Sequence, residues 1–203
     1  MDIESYTHPL GAVNEIHVAH RYIGLSMHRT VDDIAAELFR KLDRTENIIV
    51  FAESCTAGLI SGTLGRVPGV SKCLAGSAVV YQLATKSAWL EVAADVLRAP
   101  GPVSQVVSEQ MAVGVMNNTP HATMAASVTG HLGPGAPAEL DGTAWSSIAF
   151  RAEGGIIVRS VLLRLDDNSS VPANDDFSIR RVRQESAVKQ VMEFCIEALS
   201  EKC

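Results

Sequence analysis

Three groups of residues carry the chemical potential of this chain: Ser54, the pair Tyr81 and Lys86 five positions apart, and a glycine-rich run from Thr129 to Gly135. A serine hydroxyl becomes a useful nucleophile only when a base takes its proton, so Ser54 needs a partner. Lys86 stands in a largely apolar stretch, where desolvation disfavours an ammonium and favours a neutral, proton-accepting amine. The residues after Ser54 return to helical composition, and free N–H groups at a helix start can hold a developing oxyanion. Gly130, Gly133 and Gly135 allow backbone N–H groups to approach a phosphate, although the run lacks the lysine of a Walker loop. Arg180, Arg181 and Arg183 form a basic group that would meet such a phosphate.

Each feature has a plainer explanation. Serine at a strand-to-helix turn caps helices, most lysines lie on the surface, and a tight turn between strands accounts for the glycines. The three arginines also suit a solvated helix face. No Ser-His-Asp set is persuasive: His121 and His131 lie in the ordered part, and His131 reads as a solvated loop residue. Cys55 would have a reactive thiol at a helix N-terminus, but the residue after the serine must turn into the helix.

The elements that would position these groups are legible from periodicity. Thr30 can cap a helix through residue 42, in which Ile34, Ala35, Leu38 and Leu42 recur at helical spacing. Residues 47–52 form a short apolar run with β-branched members, read as a strand buried on both faces that delivers Ser54 to its edge. Helix then follows over 57–64, strand over 76–81 and helix over 84–92. Pro100-Gly101-Pro102 marks a turn before a helix carrying Val107, Met111 and Val115. Strands are expected at 122–128, 143–151 and 156–165, the last two as an antiparallel hairpin, and a closing helix at 178–200. Residues 166–176 are polar and loop-like. Such alternation predicts an α/β domain, a three-layer α/β/α sandwich with a mixed β-sheet.

With 203 residues and 47% hydrophobic content, one core-forming domain over 31–203 is expected, preceded by an irregular extension or short surface helix over 1–30. A net charge of -6 with 17 scattered Lys and Arg argues against nucleic-acid or membrane partners. Cys55, Cys73, Cys195 and Cys203 form no C-x-x-C pair, and no metal-ligand cluster is evident, so neither metal nor cofactor is expected. Reduced thiols, the absence of a signal-peptide core and the absence of a long apolar run suggest a cytoplasmic location.

Taken in order, the pieces resemble one family. Ala52-Glu53-Ser54-Cys55-Thr56 resembles the Ala-Glu-Ser-Cys-Thr signature of the CinA C-terminal domain family, and Tyr81 with Lys86 resembles its Tyr-x-x-x-x-Lys segment. Gly101-Pro102-Val103-Ser104, the loop from Thr129 to Gly135, and Gly142-Thr143-Ala144-Trp145 resemble further motifs in the family's order, so the likeness spans about residues 31–200. It departs at Ala57, at His131-Leu132 and at residues 82–85, where the family usually has other residues. The resemblance implies deamidation of nicotinamide mononucleotide to nicotinate mononucleotide and ammonia. Ser54 would attack the amide, Lys86 would act as base and then acid, and Tyr81 would support them. Cys55, Thr56, Thr129, Gly130 and Gly133 would line the substrate pocket. Arg180, in preference to Arg181, would meet the phosphate. A small-molecule nucleotide is the expected partner, and a homo-oligomer is expected because the family tends to associate. A catalytically silent or substrate-diverged nucleotide-binding module of the same fold is the alternative.

Overall fold

In the computed structural model, which describes residues 13–18, 29–165 and 175–201, every described strand joins one mixed sheet. In chain order the strands are β1 (Val13–Val18), β2 (Ile49–Glu53), β3 (Leu74–Val79), β4 (Met124–His131), β5 (Thr143–Ala152) and β6 (Gly155–Arg164). Their spatial order is β1-β6-β5-β4-β2-β3. Strand β2 pairs in parallel with both β3 and β4, while β4, β5 and β6 run antiparallel to one another in turn. A strand so placed is covered on both faces, which is why 49–53 is wholly buried and reads as continuous rather than alternating.

The helices are α1 (Val31–Arg44), α2 (Leu59–Leu64), α3 (Leu83–Leu90), α4 (Ala94–Arg98), α5 (Gln105–Asn117) and α6 (Asp176–Glu201). Alternate side chains of the sheet serve two separate cores. Ile49, Phe51, Met124 and Ile148 pack with α1, α2 and α6, whereas Val50, Ala52, Ala125 and Ala149 pack with α3, α4 and α5. The architecture is therefore the expected three-layer α/β/α sandwich.

Local chemistry sets the element ends. Thr30 accepts from the Asp33 N–H while the Asp33 carboxylate accepts from the Thr30 N–H, a capping box that starts α1. Ala57 and Gly58 take φ of 53° and 94°, so α2 begins at Leu59 rather than at 57 as composition suggests. Strand β3 lies two residues earlier than expected. The five-residue α4, too short to show a period, was not expected at all. Residues 13–18, expected to be irregular or helical, instead form β1 in parallel with β6, where pairing with a neighbour supplies what local pattern did not. The rest of the 1–30 expectation, and most of the 166–176 loop, falls outside the described residues.

One feature of the second core is polar. Beneath α5 the hydroxyls of Ser127, Ser108, Ser147 and Ser160 are linked in sequence at 2.9 Å per step, and Ser160 donates to the Glu109 carboxylate, also at 2.9 Å. Small side chains let α5 lie close to the sheet, and mutual bonding answers the desolvation of each hydroxyl. The α3–α5 contact is tighter still, since a Cβ on Gly114 would stand 2.1 Å from the Leu90 carbonyl oxygen.

Candidate active site

Ser54 follows β2 directly and is nearly buried. Its N–H donates to the Val128 carbonyl at 3.1 Å, and its own carbonyl accepts from Ala57, closing a tight turn. The N-cap position of α2 belongs to Gly58, so Ser54 is not the cap of that helix. Among the described residues nothing hydrogen-bonds its hydroxyl. The turn is held from below by Glu53, a fully buried side chain. One of its oxygens accepts from Thr56 Oγ1 at 2.8 Å and from the N–H groups of Gly58 and Ile60 at 3.0 Å. The other accepts from Ser61 N–H and Oγ and from Ser77 Oγ, at 2.8 to 3.0 Å. A carboxylate can leave water when its lone pairs are answered in this way, and here it also faces the positive end of a helix.

Lys86, on the first turn of α3, is also buried. Its Nζ donates to the Val80 carbonyl at 3.0 Å and approaches Met111 Sδ at 3.5 Å, and among the described residues it has no carboxylate partner. Burial without a counter-charge lowers its pKa from 10.5 to about 8. A neutral amine has two N–H groups and one lone pair, so these two contacts use both donors and leave the lone pair available.

Ser54 and Lys86 line the same cavity, of about 260 Å³. Tyr81, Thr129, the glycine loop and Arg180 complete its walls. Arg180 donates to the Tyr81 hydroxyl at 2.5 Å and to the Gly133 carbonyl at 2.7 Å, tying the rim together. Thr129 faces the cavity, but its hydroxyl donates to the Pro102 carbonyl at 2.8 Å. Gly130 is needed for packing rather than for its φ: a Cβ there would lie 2.6 Å from the Ala144 Cβ and 2.8 Å from the Thr143 carbonyl oxygen. Gly130→Ala is accordingly expected to cost about 1–3 kcal/mol of unfolding free energy in equilibrium denaturation, through strain in the β4–β5 pair.

The remaining expected residues divide. Cys55 lines the cavity, yet its thiol is pushed up to about 12 by burial and is no rival nucleophile. Thr56 is not brought to the cavity: it is fully buried, and its hydroxyl is committed to Glu53, so its expected substrate contact is corrected to a role in the turn. Arg181 lines a neighbouring cavity and not that of Ser54, and Arg183 is buried in a bidentate pair with Asp141 at 2.8 Å. His131 lines the cavity, whereas His121 is exposed in the turn before β4. Sequence reading missed the part played by Glu53, whose signal was an acidic residue closing an otherwise apolar buried strand. It also missed Asp141, whose pairing with Arg183 spans 42 positions and leaves no local trace.

Known proteins share this chain's family and its fold. The family model of the CinA C-terminal domain matches residues 31–185. A CinA-like protein of Myxococcus xanthus is 41% identical over 117 residues, covering 57% of this chain and 28% of that protein. A CinA-like protein of Mycobacterium sp. (strain JLS) is 38% identical over 135 residues, covering 66% and 30%. The chain thus matches less than a third of the length of these curated relatives. Among solved structures, the competence/damage inducible protein CihA from Agrobacterium tumefaciens superposes with a TM-score of 0.69 at 26% identity, covering 87% of this chain and 99% of that one. A CinA superfamily protein from Enterobacter cloacae gives 0.72 at 18% identity, covering 89% and 99%.

Proposed function

Since the chain belongs to the CinA C-terminal domain family, we propose that it is an amidohydrolase that deamidates a nicotinamide mononucleotide through Ser54 and Lys86. The observation that carries this reading is a buried lysine in one small cavity with a serine, where among the described residues the lysine has no counter-charge and the serine hydroxyl is not otherwise engaged. Neutral Lys86 takes the Ser54 proton as Oγ adds to the carboxamide carbon. The resulting oxyanion lies at the turn after β2, where the N–H group of Cys55, which donates to no backbone carbonyl among the described residues, can serve it. Lys86 then returns its proton to the amide nitrogen, and ammonia leaves an ester on Ser54. Water, deprotonated by the same amine, hydrolyses that ester to the carboxylate. Arg180, with donors to spare beyond Tyr81 and Gly133, meets the phosphate.

A second reading has its own observation. Among the described residues no hydrogen bond joins Lys86 to Ser54, as would also be found in a module of this fold that binds a nucleotide without turnover. Ammonia release from nicotinamide mononucleotide by the purified protein separates the two: steady release supports the amidohydrolase, and saturable binding without ammonia supports the silent module.

A further inference from the structure

Beside the Ser54 cavity lies a second and larger one, of about 620 Å³, between α1, α2 and the start of α6. Two residues join them. Arg180 lines both cavities, and Gln184, in the wall of the second, donates through Nε2 to the Cys55 carbonyl at 2.9 Å, one residue from the nucleophile. The volumes are informative: about 260 Å³ falls below the usual range of about 300–1,000 Å³ for sites that enclose a small molecule, whereas the second cavity lies within it. A nicotinamide ring and its ribose would fill the first, placing their phosphate at Arg180.

What lies past that phosphate has a defined chemistry. Arg181 faces the second cavity and donates no hydrogen bond among the described residues. Phe177 presents an aromatic ring that is 79% exposed, and Leu59 adds a half-exposed apolar wall. Glu185 supplies acceptors for sugar hydroxyls. A guanidinium for a second phosphate, a ring face for a base and carboxylate acceptors for a ribose are the complement of a nucleotide. We propose that the second cavity binds a second nucleotide joined through a pyrophosphate link to the nicotinamide mononucleotide phosphate, so that the substrate class is a nicotinamide dinucleotide. This rests on the amidohydrolase reading. The chemistry is unchanged: the carboxamide C–N bond breaks, water supplies the new C–O bond, ammonia departs, and the pyrophosphate link is untouched.

Two measurements test the subsite. In the first, ammonia release is followed from nicotinamide adenine dinucleotide and from nicotinamide mononucleotide, with the parent protein and with Phe177→Ala and Arg181→Ala. The parent is expected to favour the dinucleotide in kcat/KM. Each variant is expected to lose about tenfold or more on the dinucleotide while staying within about twofold on the mononucleotide. Preference for the mononucleotide, or equal losses on both substrates, would overturn the subsite while leaving the deamidase intact. The second measurement is calorimetric titration with adenosine monophosphate, which needs no turnover. Binding by the parent that is weakened about tenfold in both variants supports the subsite even if no ammonia is released from either substrate, a result that would sink only the deamidase. No heat from adenosine monophosphate overturns the subsite whatever the activity.

Discussion

Lys86→Met should abolish ammonia release and at the same time make the fold more stable near neutral pH. The first effect follows from the proposed chemistry, in which Lys86 is the proton acceptor and donor, and His131, though it lines the cavity, makes no hydrogen bond to Ser54 among the described residues; Ser54→Ala should be equally inactive but unchanged in stability. The second follows from burial. The folded protein lowers the lysine pKa from 10.5 to about 8, so in the pH range between these values the unfolded chain holds a proton that the folded chain does not. Stability from this group therefore rises with pH through that window, and below about 8 the fold carries the whole cost, about 3 kcal/mol at 1.36 kcal/mol per pH unit. Methionine removes that cost but leaves the Val80 carbonyl without its donor, a loss of about 1 kcal/mol. A net gain of about 2 kcal/mol at pH 7 remains, shrinking as pH approaches 10, and denaturant titrations across that range measure it. The parent's kcat/KM should rise with pH and level off above about 8, because the neutral amine is the active form. A flat profile from pH 6 to 9, or a destabilised Lys86→Met, would remove lysine as the base.

Glu53→Ala should show the opposite pairing, a large loss of stability with loss of activity. Its carboxylate answers three backbone N–H groups and three hydroxyls inside the fold. The hydroxyls can rotate toward other acceptors, but the N–H groups of Gly58, Ile60 and Ser61 are fixed by the chain. Leaving them dry costs about 4 kcal/mol or more, a large part of what holds a domain of this size together. Glu53→Gln keeps the shape but turns an NH2 toward donors, so about half that loss is expected, with activity reduced through a disordered Ser54 turn. Urea midpoints of the two variants beside the parent test this, and a Glu53→Ala protein as stable as the parent would show that water reaches the turn.

The parts of this molecule that were legible in its sequence are those where one residue pattern answers to one physical demand. The run at 49–53 is apolar throughout because β2 has a strand on each side and a helical layer on each face. Thr30 and Asp33 close α1 within four residues, and the 143–165 hairpin follows from two apolar strands with a two-residue turn. What escaped was set by partners far away in the chain. β1 exists through β6, about 140 positions later, and Thr56 looked like a pocket residue because nothing local reveals that Glu53 claims its hydroxyl. Arg180 and Arg181 differ by one step of about 100° around α6, which is enough to send one to Tyr81 and Gly133 and the other to the neighbouring cavity. Spacing identifies such a pair, but only the docked helix distinguishes its members.

Ser54 is carried by the sheet and Lys86 by the helical layer that α5 and Gly114 clamp against it. Neither layer alone contains the pair. An expanded state that kept its helices and strands but loosened the contact between them would preserve its far-ultraviolet circular dichroism and still separate nucleophile from base. Turnover in this protein is thus a gauge of layer-to-layer cohesion, and it should fade in mild denaturant before secondary structure does.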